Sequence, residues 1–188
     1  MQTNILWTGR EYYSLENCLV TNTGSGSEIS SVIVGKYNNL IYRVDYTIRT
    51  NQNWETVFTE ISYRHNNASD HFVFEGDGKG NWSRNGAPAA GFAGCLDVDI
   101  PLTPFTNSLP INRLKLTDNE EREIQVIYID LLETEIKLVR QKYTRLSKAE
   151  YHYENIPNDF EAKITVDESG FVIDYPSLFV QAASVKME

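Results

Sequence analysis

Asp97 and Asp99 stand two positions apart in the run Gly94-Cys95-Leu96-Asp97-Val98-Asp99-Ile100. In a strand, that spacing puts both carboxylates on one side. A pair so placed can share a proton, hold a divalent cation, or divide the work of acid and base. The residues between and beside them are apolar, which suits a polar face backed by core. The plainer reading is structural, with each carboxylate accepting hydrogen bonds from turn amides and from Arg113. Both readings are open on the residues alone.

The stretch continues through Pro101, Thr103, Pro104, Thr106, Asn107, Ser108 and Pro110 to Arg113. Proline removes a backbone donor, and a buried carboxylate or guanidinium must find a partner. A chain that concentrates those demands builds either an unusual structural corner or a site. Prolines on both sides fix a loop and lower the entropy lost when Thr and Asn are presented to a ligand. The same side chains also satisfy backbone groups in irregular loops. Trp82 follows the turn Asp77-Gly78-Lys79-Gly80-Asn81. That turn lacks the GK[ST] ending and the following helix of a phosphate cradle, so a hairpin that delivers a Trp is expected. His65, His71 and His152 form no local catalytic signature with Ser, Cys or a carboxylate and read as surface residues, and no GxSxG element supports a serine hydrolase.

The formal charge of -9 argues against nucleic acid and against docking on an anionic membrane. The densest basic run, Lys137 to Lys148, is broken by Leu and Tyr. No secretory signal is visible, and no stretch approaches the roughly 18 apolar residues of a membrane span. A cytoplasmic protein without stable membrane insertion is expected. In that setting Cys18 and Cys95 read as free buried thiols, and the sequons at Asn67 and Asn81 carry little weight. No CxxC or HxxxH pattern points to a metal, and no cofactor is implied. The 188 residues read as one domain spanning 1–188, without repeats or linkers.

Alternation sets the elements that must position these groups. Leu40, Tyr42, Val44, Tyr46 and Ile48 share one parity, and Arg43, Asp45, Thr47 and Arg49 take the other. That is a half-buried strand. Glu55 to His65 continues the pattern, with Val57, Ile61 and Tyr63 assigned to one face. Phe160, Ala162, Ile164 and Val166 repeat it, and Asp167-Glu168-Ser169-Gly170 turns the chain into Phe171, Ile173 and Tyr175 as a hairpin. Glu120 to Glu154 has helix-forming composition, yet Ile124, Val126 and Tyr128 alternate; two or three strands are expected, with one long helix as the alternative. Asp77 to Gly94 reads as a turn-rich connector around a short strand at Asn81 to Arg84. The whole is a mainly β chain whose antiparallel sheet must curl or close.

Several separated segments resemble one bacterial family, described as "putative glycolipid-binding". They are Trp7-Thr8-Gly9 leading to Ser14-Leu15-Glu16-Asn17-Cys18, Gly78-Lys79-Gly80-Asn81-Trp82, and Gly94 through Asp99. Pro104-Phe105-Thr106-Asn107-Ser108-Leu109-Pro110-Ile111-Asn112-Arg113-Leu114, Gln141-Lys142-Tyr143-Thr144, and Val166 through Pro176 complete the set. The resemblance spans nearly the whole chain. It departs at Asn112, where a second basic residue is common. It implies a spiral β-roll, a long curled antiparallel sheet wrapped around a single helix, commonly as a homodimer. It also implies non-enzymatic binding of a lipid-like or glycolipid-like amphiphile, with the tail inside the curled sheet and the head group at a polar mouth. Asp97, Asp99, Thr106, Asn107 and Arg113 are the candidates for that mouth, and Trp82 and Tyr143 for an aromatic face under a sugar. Two alternatives remain: a hydrolase-type enzyme using Asp97 and Asp99 as an acid/base or metal-bound pair, and a structural or interaction domain with no ligand. An apolar-lined cavity favours binding, and a small cleft with converging carboxylates favours chemistry.

Overall fold

A computed structural model describes residues 1–187. Eight strands leave the amino terminus as a meander: β1 (Gln2–Gly9), β2 (Ser14–Asn22), β3 (Gly26–Tyr37), β4 (Leu40–Asn51), β5 (Thr56–His65), β6 (Ala68–Gly76), β7 (Trp82–Arg84) and β8 (Ala87–Pro88). A connector with one 3-10 turn at Ala90–Phe92 leads to β9 (Asp97–Asp99) and then to the helix α1 (Phe105–Leu114). A second meander follows: β10 (Glu121–Asp130), β11 (Glu135–Ser147), β12 (Glu150–Ile156), β13 (Glu161–Val166), β14 (Val172–Tyr175) and β15 (Phe179–Met187). All fifteen strands form one sheet, in the order β8-β7-β6-β5-β4-β3-β2-β1-β15-β14-β13-β12-β11-β10-β9. Neighbours are antiparallel except β9 and β10, which run parallel through Asp97↔Val126, Val98↔Ile127 and Asp99↔Tyr128.

This order forces the curl. The fourteen gaps of a flat sheet at about 4.8 Å each would set its edges roughly 67 Å apart. The two edge strands β8 and β9 are joined by residues 89–96 alone, which reach about 30 Å at full extension. The sheet therefore winds round until its ends approach, without closing into a barrel. The connector is fastened as it crosses back: Ala89 N–H donates to the Trp82 carbonyl (2.9 Å), Gly94 N–H to Gly80 (2.9 Å), and Thr56 N–H to Leu96 (3.0 Å). The Trp82 indole adds a bond to the Cys95 carbonyl at 2.8 Å.

The helix lies inside the curl. Phe105 to Ile111 are all buried, so α1 is covered on every side, as an interior helix must be. Phe105 and Leu109 join the core beneath the first meander with Trp7, Tyr46, Phe74 and Trp82, while Ile111 joins a second core with Tyr143, Tyr153, Ile164 and Phe179. This helix occupies the proline-rich stretch that reads from sequence as a fixed loop. Pro104 precedes its first turn, Thr103 Oγ1 accepts the Phe105 N–H at 3.0 Å, and Pro110 sits inside it. Burial on all sides outweighs poor local propensity. The Glu120–Glu154 region is three strands and not one helix. On β5, Thr56, Thr59, Ile61 and Tyr63 face inward; Val57 does not, because the pairing slips between Arg49↔Phe58 and Thr50↔Thr56 and makes it the extra residue of a bulge.

Gly80 has φ +89°, and a Cβ there would lie 2.8 Å from the Gly94 Cα. Gly80→Ala is therefore expected to cost about 1–3 kcal/mol in urea unfolding, through backbone strain and the displaced connector. A cost within experimental error would show that this crossing does not hold the curl.

Candidate functional site

The short strand β9 and the helix α1 lie side by side inside the curl, and the carboxylates of β9 meet side chains of α1. Asp97 is fully buried; Arg113 Nε donates to both of its oxygens at 3.1 Å, and Nη2 donates to Oδ2 at 2.5 Å. Burial raises the Asp97 carboxyl above the ordinary carboxylate range, and the guanidinium opposes that rise. Asp99 has different partners. Thr106 Oγ1 donates to one oxygen at 2.9 Å and Gln141 Nε2 to the other at 2.6 Å. Its carboxyl is also raised by burial, against these two bonds. Asn107 Oδ1 accepts the buried Tyr143 hydroxyl at 2.9 Å. Asp97 and Asp99 are thus engaged separately and do not share a proton.

Asp99 opens onto a cleft of about 560 Å³ on the inner side of the second meander. Its floor is polar: Asp99, Thr103, Asn107 and Gln141, of which the last three are buried. Its walls are aromatic. Ring centroids run from Tyr12 to Phe179 (5.9 Å), Phe179 to Tyr175 (6.4 Å), Tyr175 to Tyr153 (6.2 Å) and Tyr153 to Phe160 (6.1 Å), and Tyr128 completes the lining. Burial pushes the phenols of Tyr12, Tyr128, Tyr153 and Tyr175 upward, so they stay protonated and can both donate and accept. Among the described residues, the hydroxyls of Tyr12, Tyr128 and Tyr175 have no protein side-chain hydrogen bond. The rim carries Glu11, Lys137, Arg140 and Asp159 beside apolar Ile156, Phe160 and Leu178.

A second polar cluster pins the floor from behind. Glu16 on β2 is 2 % exposed, and its Oε1 accepts from Ser31 (2.7 Å), Tyr46 (2.7 Å) and Thr103 (2.9 Å). Its Oε2 has no partner among the described residues. Burial lifts its pKa to about 7 against those three bonds. Thr103 passes the link onward, because its Oγ1 also accepts the first helical N–H.

The structure thus brings Asp99, Thr106, Asn107 and Tyr143 to one place, with Asp99 and Asn107 on the cleft surface and the other two directly behind them. Asp97 and Arg113 form an ion pair outside the lining, and Trp82 serves the connector through Cys95. The tyrosine wall, Gln141 and Glu16 escape a reading of local motifs. Glu16 and Gln141 do fall in two of the segments that carry the family resemblance, and parity gives their orientation: Glu16 shares the inward face with Cys18 and Val20, and Gln141 with Tyr143. One metal-type group occurs among the described residues, His152, Glu154 and Glu161. It lies away from the cleft, and Lys142 Nζ already sits 2.6 Å from Glu154 Oε2, which makes it an ion-pair network. Both cysteines are buried free thiols, and no described helix is long and apolar enough to cross a membrane.

Fold and cleft define an open β-roll with a ligand-sized recess beside its central helix. The family described as "Putative glycolipid-binding" matches residues 4–181, and the chain belongs to it. A crystal structure of a DUF1089 family protein from Pseudomonas aeruginosa is similar at 34% identity and TM-score 0.81, covering 89% of this chain and 91% of that one. No curated protein matches the chain.

Arg113→Ala leaves Asp97 buried without its cation and is expected to cost about 3–5 kcal/mol, while Asp97→Leu/Arg113→Leu recovers much of that loss. Urea titration of the three proteins checks it; a single variant as stable as wild type removes the pair from the framework. Glu16 gives a pH signature. The folded protein keeps this proton to about pH 7, while the unfolded chain releases it near 4.5. Its stabilisation is complete below the lower value and fades as pH rises through the upper one, a swing of about 3 kcal/mol. The stability of Glu16→Gln relative to wild type should therefore grow across that window, and a flat difference would refute a buried, proton-holding Glu16.

Proposed function

We propose that this chain is a non-enzymatic binder of a glycolipid-like amphiphile, held in the cleft between α1 and the second meander. The observation that carries the reading is the cleft itself, large enough for a small ligand and graded from a polar floor through aromatic walls to a partly apolar rim. Aromatic rings beside carboxylate, amide and hydroxyl groups suit a polyhydroxylated head group, which needs donors and acceptors together. An acyl tail on the floor would leave Asp99, Asn107 and Gln141 desolvated against hydrocarbon, at a cost of several kcal/mol. The gradient therefore favours entry head first, with the tail leaving along Ile156, Phe160 and Leu178. This is the reverse of a tail-inside carrier. It also favours binding over chemistry, because Asp97 is committed to Arg113 and leaves Asp99 without a carboxylate partner to divide acid and base roles.

Native mass spectrometry of freshly purified protein, followed by solvent extraction, tests the reading. A co-purifying amphiphile in fixed ratio is expected, and Asn107→Ala should weaken its retention about three- to tenfold through one lost polar contact. A bare mass that gains nothing from cell lipid extract would sink the proposal.

A further inference from the structure

Asp99 differs from the other interior carboxylates. Asp97 has Arg113, and Glu16 gathers three hydroxyl donors on one oxygen. Asp99 receives one neutral donor on each oxygen, and among the described residues no Lys, Arg or His lies within ion-pair distance. Asp99 itself lines the cleft. A desolvated carboxylate without a counter-cation is costly, and a cation arriving with the ligand would remove that cost.

The surroundings point the same way. Both rim cations are already engaged outside the lining, Lys137 by Glu135 at 2.6 Å and Arg140 by Glu123 at 2.9 Å. Glu11 and Asp159 at the rim have no ion-pair partner among the described residues. The cleft therefore presents a net negative field to anything entering it, in a protein whose overall charge is -9. Tyrosine rings add attraction for a cation, since the π-face of a phenol is negative. An anionic head group would meet two rim cations that already have carboxylate partners, and one desolvated carboxylate.

We infer that the head group taken by this cleft carries a cationic nitrogen, an amine or ammonium, seated against Asp99 among Tyr128, Tyr153 and Tyr175. The inference rests on the amphiphile-binding reading of the same cleft. It deepens that reading by giving the ligand a charge.

The test uses three probes with one tail, octyl glucosaminide, octyl glucoside and octyl phosphate, titrated below their micellar range at neutral pH with tyrosine fluorescence or calorimetry as readout. The glucosaminide is expected to bind at least about tenfold tighter than the glucoside, with the phosphate weakest. Asp99→Asn should shrink the ratio to about twofold or less, and circular dichroism establishes that the variant is folded. Equal binding of the two sugars to wild type overturns the inference and leaves the amphiphile reading standing. So does a folded Asp99→Asn protein that keeps the full preference. If no probe binds but a lipid co-purifies, only the charged head group fails. If no probe binds and the native mass is bare, both readings fall. The wild-type comparison decides the matter even if the variant does not fold.

Discussion

Three carboxylates are carried into the interior of the curled sheet, and where each finds its partner determines where the helix sits. Glu16 on β2 holds Thr103 just ahead of α1, Asp99 on β9 takes the Thr106 hydroxyl, and Asp97 takes Arg113 near the helix end. The helix is thus fixed at its start, its first turn and its last turn. A buried carboxyl group, ionised or protonated, cannot leave its hydrogen-bond partner without stranding a desolvated polar group. Apolar packing alone would fill the curl but would allow the helix to slide or turn, because the hydrophobic effect has no direction. The interior polar contacts supply the direction.

The cleft follows from that placement. With α1 held against β9 and the first meander, the second meander curves past it without filling the space beyond Asn107 and Gln141. Tyrosines from β10, β12, β14 and the loop after β1 converge there. Four phenols kept protonated by burial line a recess that no protein donor or acceptor fully satisfies. A structural core would cover such hydroxyls or replace them with phenylalanine, whose ring fills the same volume without a polar tip.

Much of the fold is legible in the chain, because alternation with one buried face has a single physical meaning. Leu40 to Arg49 reads as a strand at once, and Asp167 to Gly170 as a turn; both hold. The helix is hidden for an equally physical reason. Thr106, Asn107, Ser108 and Pro110 are poor helix formers, and only burial from every side makes them helical, an influence no local window contains. The aspartates stood out as chemistry-bearing, yet spacing could not distinguish Asp97, which meets a cation, from Asp99, which does not. The aromatic wall is drawn from Tyr12 and from five positions scattered between Tyr128 and Phe179 on separate strands and loops, so it has no motif. Parity puts Val57 on the inward face, and the bulge that turns it away leaves little trace in hydrophobic pattern.

The pairing of β1 with β15 joins Gln2 to Met187 in the middle of the sheet. Each meander is built from hairpins between sequence neighbours and can zip locally, whereas this one ladder links the two ends of the chain. Closing it carries the entropy of the longest loop among the described strand pairings. During synthesis the free edge of β1 waits unpaired until β15 emerges. An unpaired edge is a template for any other extended chain nearby. The nine residues of β15 therefore decide when the two meanders become one sheet, and the strand that joins them is also the one that covers the exposed edge of β1.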